Sequence, residues 1–266
     1  MKKSGTFNEN VIKQKFRLYG IDLVVLRNAI RGLSFYKNDF SQLKKQRGED
    51  RTFAFGKRFP ILGERFTESG TMSGHYFHQD LLVARRIYEN NPLKHVDIGS
   101  RTDGFVAHVA VFREIEIIDI RNQISKTSNI KFRRADLMEL PQNMINAYDS
   151  ISSLHAIEHF GLGRYGDPVD YLGHLKALDN IYKILQTRGK FYFSVPIGPQ
   201  RIEFNAHRVF SVKYLLELFQ DKYTIDNFSY VNDKGDLFEN GELSISNIEN
   251  NFNCEFGCGI FEMTKI

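Results

Sequence analysis

The sequence predicts an α/β fold: a mainly parallel sheet covered by helices on both faces over residues 91–266, an antiparallel strand at its C-terminal edge, and a helical N-terminal extension over residues 1–90. Three observations predict it. From His95 onward, short β-branched runs alternate with amphipathic helical runs, the pattern of right-handed βαβ crossovers. Before that point apolar residues recur at three- and four-residue intervals, and no strand pattern breaks in. Between the two rhythms stands Asn90-Asn91-Pro92, a helix stop.

Taken in order, residues 7–47 read as helical, with Leu18, Ile21, Val25 and Ala29 on one stripe. Residues 51–72 scatter Gly56, Pro60, Gly63 and Gly70 among aromatics and read as loop. A helix opens near His75 and runs through Leu82, Ala84 and Ile87 to the stop. Strands then follow at 95–98, 115–118, 131–135, 149–154 and 190–195, with helices at 106–112 and 170–185 between them. A helix at 212–219 leads to strands at 224–231 and 259–265, expected to close the sheet as an antiparallel pair. Residues 232–253 form a long excursion between those two strands.

Composition bounds the function. With 42% hydrophobic and 26% charged residues the chain can build a sizeable core. No apolar run approaches the ~20 residues that span a bilayer, and the lysines near the start lack an apolar segment behind them, so no secretory signal is expected. Two cysteines, Cys254 and Cys258, cannot staple a chain of this length and read as incidental; a reducing, cytoplasmic compartment follows. Charge is uneven. Residues 1–90 hold 17 Lys+Arg against 9 Asp+Glu, whereas the rest holds 19 against 23. The basic third suits a phosphate-bearing acceptor or the anionic inner face of the cytoplasmic membrane, and equally a solvated helical face.

The chemistry begins at the first strand. Val96-Asp97-Ile98-Gly99-Ser100 turns through Arg101-Thr102-Asp103 to Gly104 and the next helix. In an open parallel sheet, ligands sit beyond the carboxyl ends of the strands. Gly99 lets backbone approach a cofactor and Gly104 permits the turn into the helix. The pattern is not G-x-G-x-x-G; Ser100 to Asp103 between the glycines suit a nucleoside with a charged amino-acid tail better than a pyrophosphate. Asp119, followed by Ile120, closes the second strand some 20 residues on, placed to accept from ribose hydroxyls. Asp136, with Leu137, closes the third, placed to accept from an adenine amino group.

These segments, together with Tyr148 to His159 and Leu185 to Pro196, resemble the successive motifs of class I S-adenosylmethionine-dependent methyltransferases of Rossmann-like fold. The resemblance covers about residues 91–200. It implies Asp97 and Gly99 near the methionine part of the cofactor, Asp119 on ribose, Asp136 and Leu137 on adenine, and Leu154-His155 lining the site. The chain departs from the common loop in carrying Ser100 and Arg101–Asp103 where further glycines are usual. More narrowly, Gly161 to Pro168, Leu175 to Leu178, Val195 to Pro199 and Phe204 to Arg208 resemble a poorly characterised methyltransferase-like family whose bacterial members often lie among surface-polysaccharide genes.

Methyl transfer to a hydroxyl requires a group to take its proton, a role open to histidine near neutral pH. His155, at the end of the fourth strand, is the first candidate; His159 and His207 follow. Tyr76 or His78 is expected in a lid over the site, with a plain helix start capped near His75 as the equal alternative, and Arg164, Asp167 and Arg208 are expected around the acceptor. His155-Ala-Ile-Glu-His159 also fits H-x-x-E-H, a zinc-protease signature if it lies on a helix, but its place after an apolar strand argues against that reading; no metal site is predicted, and a divalent ion held by Asp167 with a histidine stays open as an alternative. The expected acceptor is a glycan, glycolipid or nucleotide sugar. Nucleic-acid methylation is the alternative from the basic third, weakened by the absence of tryptophan and of a dedicated binding module. A non-catalytic binding protein is the alternative from the altered loop.

Overall fold

The computed structural model describes residues 15–124, 126–140 and 144–266; residues 7–14 of the expected first helix lie outside these. The chain divides into two compact units at Thr71/Met72. In the first, helix α1 (Leu23–Arg47) begins where Asp22 accepts from the Val24 and Val25 amides, and ends on Lys44, Lys45 and Arg47, charges that suit a helix C-terminus. The stripe read from residue 18 is therefore interrupted at Tyr19-Gly20, where the chain turns before the cap. Several of this unit's cations lie over its own aromatic rings: Arg31 over Phe66, Arg58 over Phe40, Arg47 over Phe55 and Arg65 over Phe35. Part of the basic surplus is thus spent within the unit.

The second unit starts with α2 (His75–Asn90), which ends on a left-handed Asn91 before Pro92, as the stop signal requires. Grouped by sequence rhythm, α2 falls in the extension; it belongs instead to the sheet unit, because Leu82, Val83 and Ile87 are buried with Phe105, Val109 and Ile117. The strands are β1 (His95–Ile98), β2 (Ile115–Asp119), β3 (Ile130–Arg134), β4 (Tyr148–Leu154), β5 (Leu185–Ile197), β6 (Arg201–Glu203), β7 (His207–Val209), β8 (Tyr223–Val231), β9 (Leu237–Phe238) and β10 (Gly257–Lys265). Eight of them form one sheet in the order β3-β2-β1-β4-β5-β10-β8-β9. The chain thus winds outward in both directions from β1 and β4, leaving a crevice where the order reverses.

β10 is antiparallel to both β5 and β8, as expected for the last strand, but it inserts between them. The antiparallel edge is β9, formed inside the excursion after β8. One face of the sheet buries Ile98, Ile118, Ile151 and Phe193 under α4 (Gly173–Ile184) and α5 (Val212–Phe219); the other carries α2 and the helical segment after β1. That segment opens as a π-helical turn, Thr102–Val106, continuing into α3 (Ala107–Ala110). The wide turn takes up the residues that lengthen the loop after β1. The last helix is α6 (Ile245–Glu249). No helix among the described residues is long and apolar enough to cross a membrane.

Candidate active site

A cavity of about 280 Å³ opens at the carboxyl ends of β1, β2 and β4. Its first wall comes from strand ends. Gly99 turns with φ +71, and a Cβ there would press on Ala156 at 3.0 Å, so the chain passes close to the loop after β4. Ile98, Ile118, Ile120, Ala135 and Leu137 give an apolar lining, and Asp119 and Asp136 supply the carboxylates. Asp136 accepts from the Met138 amide at 2.9 Å. Asp119 is already engaged: Arg121 reaches it through its amide at 2.7 Å and its guanidinium at 3.0 and 2.7 Å, while lying 4.3 Å over the Tyr165 ring. Arg121 and Tyr165 were not singled out from sequence; the D-x-R spacing was the available signal.

The second wall is polar and aromatic: Tyr76, Arg101, His155, His159, Phe160, Arg164, Tyr165 and Asp167. His155 adopts a left-handed conformation at φ 49 just after β4. One ring nitrogen faces Glu158 Oε1 at 2.7 Å and the other His75 Nδ1 at 3.1 Å, with the His75 ring stacked on it. Burial works against charge on His155, but Cys258 and Glu158 outweigh it and raise its pKa well above histidine's ordinary value. Correspondingly, Glu158 is held below the usual carboxylate value: burial opposes this, and His155 overcomes it. His159 donates from Nδ1 to the Ala206 carbonyl at 2.6 Å, leaving Nε2 without its proton, 3.7 Å from Glu158. Burial lowers its pKa, so the ring is neutral near pH 7. Residues 157–159 form a 3-10 turn, so the H-x-x-E-H run does not lie on a helix and its two imidazoles do not share a helix face.

Several residues singled out from sequence sit behind the cavity. Asp97 is wholly buried, accepting from the Ser100 amide and hydroxyl and from Ser152 Oγ at 2.6 Å; burial lifts its pKa to about 7. Ser100 Oγ in turn accepts from the Leu154 amide, and Leu154 packs into the core. Asp97, Ser100 and Leu154 thus fasten the β1 loop to β4 rather than line the cavity. At Gly104 a Cβ would meet Asp80 Oδ2 at 2.5 Å, so this glycine admits α2. His78 is half-buried, edge-on to Phe77. The hairpin β6–β7 takes His207 away to Glu203 and Phe256. Arg208 is buried and donates to the Phe160 and Tyr171 carbonyls, because its guanidinium holds the loops that carry the second wall. Asp167 reaches the cavity, but its oxygens accept from the Gly161, Gly163 and Tyr165 amides and shape that loop.

The fold is that of known methyltransferases. At 15% identity and a TM-score of 0.51, the chain is similar to the Burkholderia thailandensis 1,6-didemethyltoxoflavin-N1-methyltransferase, solved with 1,6-didemethyltoxoflavin and S-adenosylhomocysteine; the match covers 70% of this chain and 78% of that one. It is similar as well to the [4+2]-cyclase SpnF, at 14% identity and a TM-score of 0.50, over 71% and 80% of the two chains. No curated protein matches the sequence. The family model described as "Caenorhabditis protein of unknown function, DUF268" matches residues 96–253, more than half of the chain and every cavity-lining residue but Tyr76, and the chain belongs to that family.

Proposed function

We propose that this chain is an S-adenosylmethionine-dependent methyltransferase whose acceptor is a sugar hydroxyl of a glycan, glycolipid or nucleotide sugar in surface-polysaccharide synthesis. The observation that carries the reading is the first wall: two carboxylates, Asp119 and Asp136, end adjacent parallel strands on one apolar cavity beside Gly99. That donor set fits the cofactor, with a ribose diol against Asp119 and an adenine between Ile118, Ile120, Ala135 and Leu137 near Asp136. S-adenosylhomocysteine in the toxoflavin methyltransferase of the same fold agrees with this fit. Bound there, the cofactor supplies an activated methyl group on its sulfonium.

The second wall handles the acceptor. Tyr76 and Tyr165 offer aromatic faces for the C–H side of a sugar, and Arg101 and Arg164 offer cations for an acidic or phosphorylated one. His155 has both nitrogens occupied, so the proton-accepting role passes to His159. Its Ala206 bond fixes the tautomer with Nε2 as the basic atom, and Glu158 stands ready to stabilise the imidazolium formed. The remaining acceleration comes from holding the hydroxyl in line and away from water. In this reading the protein works in the cytoplasm, and the cations of the first unit left free by aromatic stacking give weak contact with anionic membrane. Nucleic acid is not its acceptor.

The test is binding of S-adenosylhomocysteine by calorimetry, followed by transfer of labelled methyl onto candidate glycans. Asp119→Ala is expected to weaken binding by about 1.5–3 kcal/mol, at least tenfold. His159→Gln should bind normally and lose ~10²–10⁴ in rate. Unchanged affinity in Asp119→Ala removes the ribose assignment. A second reading, a binding protein without catalysis, is favoured by the Arg121 guanidinium already seated on Asp119; cofactor binding with no transfer to any glycan would support it.

A further inference from the structure

Beside the cavity, three side chains from distant parts of the sequence point donor atoms at one another. His75 begins α2, His155 follows β4 and Cys258 is the second residue of β10. One donor atom from each of His75, His155 and Cys258 lies within 4.8 Å of the other two. The thiol is fully buried, interacts with His155, and lies 3.7 Å from Gln79 Oε1 and 3.8 Å from the Gly259 carbonyl. The exchange between the rings is more telling. Glu158 accepts from His155 Nδ1 at 2.7 Å, which leaves the His155 Nε2 turned toward His75, whose own Nδ1 faces back at 3.1 Å. Two imidazole nitrogens meet at that distance only with a proton or a cation between them.

We propose that His75, His155 and Cys258 form a binding site for a divalent ion of the zinc class, with Glu158 as the outer carboxylate that orients His155. Two imidazoles and a thiolate are the donors that select zinc-like ions over magnesium or calcium. The N···N separation of 3.1 Å is near the ~3.3 Å edge expected of a tetrahedral site with Zn–N bonds of about 2.0–2.1 Å. The sulfur lies within 4.8 Å of the ring nitrogens and has to come within reach of a Zn–S bond of about 2.3 Å. Charge balances too: the thiolate and the buried carboxylate together neutralise a divalent ion. A carboxylate behind a ligating histidine is the usual support of such a site. With three protein ligands the fourth position is open, and one of the three, His155, also lines the cavity. An acceptor hydroxyl or water there would ionise more readily. The inference stands apart from the methyl-transfer reading, since binding is read without cofactor or acceptor.

The full-length protein, stripped with a chelator and dialysed, would be titrated with zinc alone and separately with cobalt(II). One equivalent should bind, and the cobalt form should show the visible bands of a four-coordinate ion together with a thiolate-to-metal charge-transfer band. Cys258→Ser should abolish the charge-transfer band and weaken zinc at least tenfold, whereas Cys254→Ser should leave both unchanged. His75→Gln, at a half-buried helix start, should weaken zinc likewise, so the site is tested even if Cys258→Ser does not fold. Absence of a stoichiometric ion in the unaltered protein overturns the proposal and leaves a shared proton between the two rings. Binding that survives both His75→Gln and Cys258→Ser overturns it as well.

Discussion

The two walls of the cavity are built by different means. The first, at the ends of β1, β2 and β3, follows from the chain's local rhythm: each parallel strand ends at the crevice, so whatever residue closes it faces ligand. Asp119 and Asp136 need nothing else to be placed. The second wall is assembled from α2, the loop after β1, the turn after β4 and the Gly161–Asp167 loop, locked by buried polar contacts among residues far apart in sequence. A strand end can therefore change its side chain at the cost of ligand binding alone, whereas removing a buried charged partner from behind the second wall should cost the fold.

Glu158→Ala breaks the comparison most sharply if it fails. Glu158 is 1% exposed and faces the cation centred on His155. Deleting one partner of a buried ion pair strands the other, with a cost of about 3–5 kcal/mol. Urea unfolding should show that loss, against less than about 1 kcal/mol for Asp136→Ala at the rim of the first wall. Equal effects would mean that the second wall is no more integral than the first.

A buried chain of polar contacts between β1 and β4 gives a pH signature. His95 is buried between Ser150 Oγ at 2.8 Å and Ser152 Oγ at 3.1 Å, and Ser152 passes the chain of bonds on to Asp97. Burial, with Arg113 assisting, depresses the His95 pKa to about 3. A histidine depressed in the folded state contributes stability that is present above its unfolded value near 6.5 and lost as pH falls toward the folded value. The loss attributable to His95 should reach about 2 kcal/mol by pH 5. Asp97, raised to about 7, has the opposite sign: its contribution is complete below about 4 and lost as pH rises through 7. The two offset each other in the unaltered protein, so the difference between it and His95→Gln isolates the histidine. The variant should lose less stability between pH 7 and 5; parallel curves would show that His95 is not held neutral.

How much of this was legible in the sequence follows from the same contrast. The strands, the stop at Asn91-Pro92 and the first-wall acids are properties of short windows, and periodicity reads them. Windows do not say which way a strand-end residue turns. Asp97 lies one residue before the end of β1 and points inward, so its resemblance-based place by the cofactor becomes a clasp on Ser100 and Ser152. Nor do they pair distant elements. The β6–β7 hairpin that carries off His207, the insertion of β10 beside β5, and the meeting of Cys258 with His75 all depend on contacts across long sequence separations. Taken alone, the two cysteines look incidental, and Cys258 acquires a partner only once β10 crosses the sheet.

The smallest effect tests the first wall at its most occupied point. Arg121 holds Asp119 with two guanidinium contacts, yet its own side chain is 49% exposed, so solvent and salt screen the pair and its worth is at most about 1 kcal/mol. A ribose that needs the Asp119 carboxylate has to displace this guanidinium, and that cost is subtracted from its affinity. Arg121→Ala should therefore tighten S-adenosylhomocysteine by up to roughly fivefold at low salt, with the advantage shrinking as salt rises, because the competitor it removes is the screened one. The gain should vanish in an Asp119→Ala background, where nothing remains to be freed. Weaker binding in Arg121→Ala would instead make the arginine a ligand in its own right, stacked on Tyr165 over the bound molecule. The first wall would then share the second wall's dependence on residues brought together by the fold.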